Sequence, residues 1–150
     1  MEIRAYRQED RDQVLDLWTR CDLVVPWNDP GKDIDRKVRA DPDGLVVGLL
    51  DDRVVGTVMV GYEGHRGWVN YLAVAPARRG RGFGRALMTA AEEYLMAAGC
   101  PKINLQVRSS NTDVIRFYES IGYCLDNVVG MGKRLGHDDK SCLTAVSVTL

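Results

Sequence analysis

One segment of the chain joins a predicted strand to a predicted helix through three glycines: Tyr71-Leu72-Ala73-Val74-Ala75-Pro76-Ala77-Arg78-Arg79-Gly80-Arg81-Gly82-Phe83-Gly84. The strand is expected to end near Val74, because the proline that follows cannot donate a hydrogen bond to a sheet. A helix is expected over residues 82–98, where apolar residues recur at helical spacing. A helix start leaves backbone N–H groups unpaired at the positive end of its dipole, and glycines let an anion approach them. The segment therefore predicts a phosphate-binding turn.

Four arginines surround this turn, and their charge suits phosphate: Arg78, Arg79, Arg81 and Arg85. Taken alone, a short glycine run is more often a tight surface turn with solvated arginines. The strand-turn-helix setting favours phosphate binding instead. The turn does not match a dinucleotide-binding fingerprint, because the first strand of the chain lies far upstream. It does not match a P-loop either, because no Gly-Lys-Ser/Thr follows.

Outward from the turn, the sequence predicts one α/β domain with a mixed, mostly antiparallel sheet flanked by helices. The predicted strands cover residues 3–6, 45–50, 54–62, 68–74, 103–107 and 128–135. The predicted helices cover residues 8–22, 33–39, 82–98 and 111–121. Two prolines predict a loop at Pro26-Trp27-Asn28-Asp29-Pro30. The domain is expected over residues 1–135, and residues 136–150 are expected to form a tail, either an extra edge strand or a loose end.

The composition is that of a globular protein without a strong overall charge. Its 150 residues carry a net charge of −1, so no global field draws the chain to nucleic acid or to an anionic membrane. No apolar run reaches the roughly 18 residues of a membrane span and no signal segment is recognised, so a cytoplasmic location is expected. The four cysteines form no CxxC pair, and no metal site is expected: Cys21, Cys100, Cys124 and Cys142.

With these residues in view, the sequence resembles the GNAT superfamily of N-acetyltransferases. The superfamily's pyrophosphate motif, Gln/Arg-x-x-Gly-x-Gly/Ala, is matched by Arg79, Gly82 and Gly84. The preceding residues 71–76 are similar to its fourth strand, which carries a bulge and splays from the fifth. The resemblance implies that backbone N–H groups near Leu72 and Val74 hold the thioester carbonyl and the pantetheine amides of acetyl-CoA. A bulge frees such groups from the strand ladder.

A second segment extends the likeness, which covers roughly residues 3–135 in element order and is specific over roughly residues 72–123. Within the superfamily the chain is most similar to the ribosomal-protein alanine N-acetyltransferases and to the bacterial YpeA group. The resemblance implies transfer of an acetyl group from acetyl-CoA to a primary amine, either of a small molecule or the α-amine of a protein or peptide. The matching residues are Leu105-Gln106-Val107-Arg108-Ser109-Ser110-Asn111 and Phe117-Tyr118-Glu119-Ser120-Ile121-Gly122-Tyr123, and the YpeA group shares Pro26-Trp27-Asn28-Asp29-Pro30 and Gly61-Tyr62-Glu63-Gly64-His65-Arg66-Gly67. The cofactor-binding residues that the resemblance implies are Leu72, Ala73, Val74, Arg79, Gly80, Arg81, Gly82, Phe83, Gly84, Arg85 and Asn111.

The resemblance implies Tyr118 as the general acid. Tyr118 follows Asn111 by seven residues, which places both on one face of the predicted helix. A phenol with an ordinary pKa near 10 stays protonated at neutral pH and can donate to a departing thiolate. The alternatives are a core tyrosine packed with Phe117, and an Asn111 that only caps the helix.

The general base is where the chain departs from its relatives. In the ribosomal alanine acetyltransferases a glutamate on the fifth strand is the base, and this chain has Gln106 there, whose amide takes no proton at neutral pH. Glu63, His65 and Tyr71 remain as candidates, with Glu63 predicted as catalytic. For Glu63 and His65 the alternative is a solvated hairpin tip. A weak base favours amines of low pKa, such as α-amines, over lysine side chains.

Acceptor binding is predicted for Trp27, Asn28, Asp29 and Tyr71. The first three lie between the first two helices, a region that borders the acceptor site in this superfamily. An aspartate beside an ammonium would orient it. The alternative is an Asx turn in which Trp27 covers the core.

Two other functions compete with catalysis. The missing glutamate on the fifth strand supports a non-catalytic module that binds or senses acyl-CoA, whereas the retained Tyr118 supports an enzyme. A nucleic-acid-binding role for residues 78–85 is disfavoured by the near-neutral charge and by the lack of interleaved aromatic residues. The sequence leaves open whether the chain is a monomer or a homodimer.

Overall fold

The computed structural model describes residues 1–138 and confirms the predicted α/β domain. Its five-stranded sheet has the order β1-β2-β3-β4-β5, antiparallel from β1 to β4 and parallel between β4 and β5. The strands are β1 (Glu2–Ala5), β2 (Leu45–Leu50), β3 (Arg53–Tyr62), β4 (Gly67–Val74) and β5 (Ile103–Asn104). The helices are α1 (Arg11–Arg20), α2 (Pro30–Ala40), α3 (Phe83–Ala97) and α4 (Thr112–Ser120).

Both faces of the sheet are covered, so the central strands are apolar on both sides. Val47 of β2 packs with α1 residues such as Trp18 on one face. Its neighbour Val46 packs with α3 residues such as Leu87 on the other. Side chains alternate between faces along a strand, so consecutive valines serve two separate cores. Among residues 1–138, no helix has the length and apolar character that a membrane crossing needs.

The gap that the resemblance implies between β4 and β5 is present. The two strands pair only at Gly67 with Ile103 and at Trp68 with Asn104. Beyond Trp68, no strand among residues 1–138 pairs with this edge of β4. The predicted strand over 103–107 is thus shorter than expected, because Leu105 and Val107 leave the ladder and pack against the core on the α3 side. The backbone of β4 is left open along this edge.

A bulge in β4 sits beside that gap. Thr57 of β3 pairs with Ala73, and Met59 pairs with Asn70. The chain therefore advances by three residues along β4 where it advances by two along β3. Tyr71, inside the bulge, has a φ of 50°, in the left-handed region that a bulky side chain rarely adopts. Its ring stacks on the indole of Trp18 with centroids 3.8 Å apart. The strained backbone is therefore held by packing from α1.

A buried hydroxyl ties the bulge to the core. The Oγ1 atom of Thr57 accepts a hydrogen bond from Nε1 of Trp18 (2.9 Å) and donates one to the carbonyl of Tyr71 (2.8 Å). Thr57 is fully buried, so water cannot replace it as a partner for either group. The hydroxyl links α1, β3 and β4 at the point where β4 bends.

We expect Thr57→Val to destabilise the fold by about 1–3 kcal/mol, because it leaves a buried indole N–H and a carbonyl without this partner. Urea unfolding measures the loss. The matched control is Thr19→Val on α1, whose exposed hydroxyl donates to the carbonyl of Leu15 (2.9 Å), and we expect a change within about 0.5 kcal/mol. Equal losses in the two variants would show that the Thr57 hydroxyl contributes nothing.

Two expectations about secondary structure were wrong. Pro30 does not end a loop: it is the first residue of α2, where its missing N–H costs nothing, and Asp29 caps the helix. Residues 128–135 do not form a strand, and their apolar side chains are exposed, Val129 by 88% and Met131 by 93%. The segment comes after Asp126, which forms an ion pair with Lys102 (2.7 Å) just before β5. Because β5 has only two residues, it offers few backbone groups with which a further strand could pair. The predicted tail lies outside the described residues, apart from positions 136–138.

Candidate active site

The glycine-rich turn presents a row of free backbone amides. Gly80 and Gly82 have φ values of 76° and 80°, and Gly82 is the N-cap of α3. The carbonyl of Gly82 accepts from the N–H of Ala86 (3.0 Å), whereas the N–H groups of residues 83–85 find no acceptor among residues 1–138. In the described part of the chain, no atom beyond the neighbouring residues lies within 4 Å of the positions where Cβ atoms of Gly80 and Gly82 would stand. The turn is therefore open to an anion, as the sequence predicts.

Gly84 has a different function in the same turn. A Cβ atom there would lie 3.1 Å from Cζ of Phe117 and 3.8 Å from Cγ2 of Val74. The absence of a side chain lets α4 approach the start of α3. The turn and Tyr118, which follows Phe117 on α4, are thereby brought together.

The arginines of the turn divide into two groups. The Nε atom of Arg79 donates to the carbonyl of Val74 (3.1 Å) and so fastens the turn to the end of β4. Arg81 and Arg85 are exposed and have no ion-pair partner within the described part of the chain. These two charges remain available to a phosphate.

The residues predicted on β4 surround the bulge. Leu72 and Val74 are half-buried on the α3 side, whereas Ala73 is buried on the α1 side. The carbonyl of Val74 also accepts from Sγ of Cys21 (3.4 Å). Asn111 is the N-cap residue of α4, but its side chain makes no capping hydrogen bond. If Asn111 were only a helix cap, its side-chain amide would therefore have no function in that cap.

Tyr118 lies in the core cluster that borders both sides of the gap between β4 and β5. Leu72 of β4 and Leu105 beyond β5 pack against this cluster. The side chain of Tyr118 is 8% exposed, and burial raises its pKa to about 12. Its ring meets Phe117 edge-on, and its hydroxyl has no hydrogen-bond partner among residues 1–138. The phenol is therefore protonated and free to donate.

Glu63 follows β3 at the tip of the β3–β4 hairpin and is exposed. Its carboxylate accepts from the backbone N–H groups of Arg66 and His65, the latter at 2.6 Å. These two hydrogen bonds, that from Arg66 foremost, lower the pKa of Glu63. The carboxylate stays ionised at neutral pH, and as a base it is weak. His65 is exposed beside it.

A groove runs along β4 on the α1 and α2 side. One cavity of about 460 Å³ is lined by Leu23, Asp33, Met59, Asn70 and Tyr71. A second cavity, of about 270 Å³, shares Met59 and Asn70 with the first. Its other lining residues are Lys37, Gly61, Tyr62, Glu63 and Trp68. The two cavities form one groove that leads from the bulge toward Glu63.

The wall of this groove at the bulge is a polar cluster. The hydroxyl of Tyr71 donates to Oδ2 of Asp33 (2.6 Å) and accepts from Nδ2 of Asn28 (3.1 Å). Nδ2 of Asn28 also lies 2.5 Å from Oδ2 of Asp33. Burial of the Tyr71 side chain is the main cause, and its hydrogen bond to Asp33 the second, of a pKa well above the ordinary value of a tyrosine. This phenol therefore stays protonated and is not a base.

The other predicted acceptor residues lie beside this cluster. Oδ1 of Asp29 accepts from the N–H of Lys32 (3.1 Å) as the cap of α2, and Trp27 is 43% exposed. Gln106 is exposed beyond the end of β5. Asp33 was missed by the sequence analysis, which placed it in a polar helix without a function. A local signal was its position three residues before Arg36, with which it forms an ion pair on α2 (2.7 Å).

The chain is similar to known acetyltransferases over most of its length. The family described as "Acetyltransferase (GNAT) family" matches residues 11–123. "Acetyltransferase SG1711" of Sodalis glossinidius is 50% identical over 141 residues, which are 93% of this chain and 99% of that protein. "Acetyltransferase ECA0875" of Pectobacterium atrosepticum is 50% identical over 138 residues, 92% of this chain and 98% of that protein. The solved ribosomal-protein-S18-alanine N-acetyltransferase from Escherichia coli shares the fold, with a TM-score of 0.68, 21% identity and coverage of 81% of this chain and 76% of that one.

Proposed function

The chain belongs to the acetyltransferase (GNAT) family and transfers an acetyl group from acetyl-CoA to an amine; from this premise we propose that the acceptor is a primary amine of low pKa that enters by the groove along β4. The α-amine of a peptide or of a small molecule fits this description. The observation that carries the proposal is the polar cluster in which Asp33 and Tyr71 line the groove at the bulge and Asn28 bonds to both. A non-catalytic acyl-CoA-binding module is not favoured, because both relatives at 50% identity are named acetyltransferases.

The residues of the turn and of β4 fit a coenzyme A thioester. Free amides at 83–85 and the open space at Gly80 and Gly82 suit its diphosphate, with Arg81 and Arg85 as counter-charges. Backbone groups of Leu72 and Val74 at the bulge suit the pantetheine amides and the thioester carbonyl. The side-chain amide of Asn111, which makes no cap, is a further donor. Acetyl-CoA supplies the activated acetyl group, and these residues hold and orient it.

The groups in the groove that could accept a proton are weak bases, so the groove favours an amine that is already neutral. Transfer forms a bond from the amine nitrogen to the acetyl carbon and breaks the carbon–sulfur bond. The amine gives up a proton, for which the groove offers the weakly basic Glu63 carboxylate and solvent, since the Asp33 carboxylate already accepts from Tyr71, Asn28 and Arg36. About one-tenth of an α-amine of pKa about 8 is neutral at pH 7, against about one lysine in 2,500. Because Glu63 is a weak base, it assists the loss of a proton only slightly. We therefore expect a small reduction in rate for an α-amine and a large one for a lysine.

Tyr118 is proposed to stabilise the leaving sulfur. Its hydroxyl keeps its proton, because burial raises its pKa to about 12, and it has no hydrogen-bond partner within residues 1–138. A departing thiolate with a pKa of about 8.5 is a poorer base than this phenolate, so the phenol acts mainly as a hydrogen-bond donor. Phe117 and Tyr123 pack edge-on against the ring of Tyr118 and fix its direction.

A pH profile with two acceptors tests the proposal. For a peptide with a free α-amine, we expect kcat/KM to rise tenfold per pH unit up to the pKa of the amine, about 8, and to stay level to about pH 10. No falling limb is expected there, because Tyr118, with a pKa of about 12, stays protonated. For a peptide with a blocked α-amine and a free lysine, we expect kcat/KM about 200-fold lower at neutral pH, in proportion to the neutral fraction of the amine. A preference for the lysine peptide would contradict the proposed acceptor class.

A further inference from the structure

We propose that Asp138 is a positioning residue of the acceptor groove, acting through Arg36 on Asp33; this inference rests on the proposed function of the groove. The carboxylate of Asp138 accepts from both terminal nitrogens of Arg36, at 3.0 Å to Oδ1 and 2.9 Å to Oδ2. Its Oδ2 also accepts from the backbone N–H of Asp29 at 3.0 Å. Only 13% of the Asp138 side chain is exposed. The carboxylate is thus fixed by both a side chain and the backbone.

The contact continues from Arg36 into the groove. Nη2 of Arg36 donates to Oδ1 of Asp33 at 2.7 Å. The other oxygen of Asp33 faces Tyr71 and Asn28, as described above. One guanidinium therefore bridges two carboxylates, one from α2 and one from 102 residues further along the chain. Asp138 is separated from the Tyr71 hydroxyl by only two side chains, Arg36 and Asp33.

The bridge differs from an ordinary surface ion pair. Arg36 is 50% exposed, and a lone exposed pair of this kind contributes little, because the long side chain loses freedom and water screens the charges. Here the planar guanidinium is held by a two-pronged contact to Asp138, so the geometry toward Asp33 is already set. Asp138 also places a negative charge at the start of α2, near the positive end of that helix dipole.

Each carboxylate has a separate task in this arrangement. Asp33 carries the negative charge that borders the groove. Arg36 fixes the rotamer of Asp33 and offsets part of its charge. Asp138 keeps Arg36 in place, since Arg36 without it is free to turn toward solvent. Loss of Asp138 is therefore expected to impair acceptor binding while leaving the acetyl-CoA turn, on the far side of β4, unaffected.

Asp138→Asn in the full chain tests the inference, with steady-state kinetics on an α-amine peptide. We expect the KM for the peptide to rise about tenfold, as for loss of a charge-assisted hydrogen bond, with kcat and the KM for acetyl-CoA changed less than about twofold. The matched control is Asp126→Asn, which removes a carboxylate from the same C-terminal segment. Within residues 1–138, Asp126 pairs only with Lys102, and we expect no change in any kinetic parameter.

A double-mutant cycle separates positioning from general stability. Asp33→Asn and Asp138→Asn are expected to raise the peptide KM by less in combination than the product of their separate effects, since both act through Arg36. Multiplicative effects would overturn the proposed link. If Asp33→Asn raises the peptide KM and Asp138→Asn does not, the role of Asp138 is wrong and the acceptor groove stands. If Asp33→Asn and the groove-filling Met59→Trp both leave the peptide KM unchanged, the groove itself is wrong.

Discussion

Replacing Tyr118 with phenylalanine is expected to lower kcat by about 100-fold to 1,000-fold, the range for loss of a positioned hydrogen-bond donor to charge that develops in the transition state. The affinity for acetyl-CoA is expected to stay within about twofold, because the hydroxyl bonds nothing within residues 1–138 and its proposed role is toward the leaving sulfur alone. The ring remains and keeps its packing against Phe117, so the fold is preserved. Release of free thiol with saturating acetyl-CoA and amine measures kcat, and calorimetry with coenzyme A measures binding.

Tyr6→Phe provides the matched control for this substitution. Tyr6 is similarly buried, at 9% exposure, but it belongs to the core cluster on the α1 side of the sheet. Its hydroxyl is not part of the proposed site, and we expect kcat within about twofold of the unmodified chain. A Tyr118→Phe variant with unimpaired kcat would remove Tyr118 from the mechanism, whatever its effect on stability.

Replacing Gly82 with leucine is expected to weaken coenzyme A binding by at least about 100-fold, the equivalent of losing about two charge-assisted hydrogen bonds. The residue has a φ of 80°, which a side chain adopts at a cost of about 1–2 kcal/mol. Beyond its two chain neighbours, no atom of residues 1–138 lies within 4 Å of the added Cβ, so the free protein has no clash at that atom. The side chain would occupy the space that a diphosphate needs to reach the amides of α3.

Gly99→Leu separates the effect on binding from the effect on the backbone. Gly99 lies just beyond the other end of α3 and also has a φ of 80°. As at Gly82, no atom of the described residues, its chain neighbours apart, lies within 4 Å of an added Cβ. Both variants are thus expected to lose comparable stability in urea, whereas only Gly82→Leu should lose coenzyme A in calorimetry. Tight binding by Gly82→Leu would show that the diphosphate does not bind at this turn.

The parts of the site that sequence patterns predicted are short-range. The strand that ends near Val74, the open turn at Gly80 and Gly82, and the helix that bears Tyr118 each follow from periodicity or from glycine conformations within a few residues. The structure has these elements within a few residues of their predicted ends. The prediction of acetyl transfer came from the resemblance to the superfamily, and the family match and the two relatives confirm it.

The parts that were missed depend on neighbours far along the chain. Residues 128–135 have strand-forming side chains, yet they form no strand, because β5 is too short to pair with them. A proline also occupies the first position of a helix as readily as the end of a loop, and the cap at Asp29 decides between them at Pro30. Local propensity carries no information about such partners.

The sequence by itself determined the open glycine turn, the apolar faces of the strands and helices, and the protonated phenol of Tyr118, since these depend on residue type and short spacing. Only the tertiary structure decided that Tyr71 bends β4 over Trp18 and that Asp33 lines the groove along β4. It also decided that Asp138 reaches α2 across 102 residues of chain. The physical reason is that a hydrogen bond or a stacking contact forms only between groups that lie within a few ångströms of each other. The separation of two residues along the chain does not specify whether the fold brings them that close.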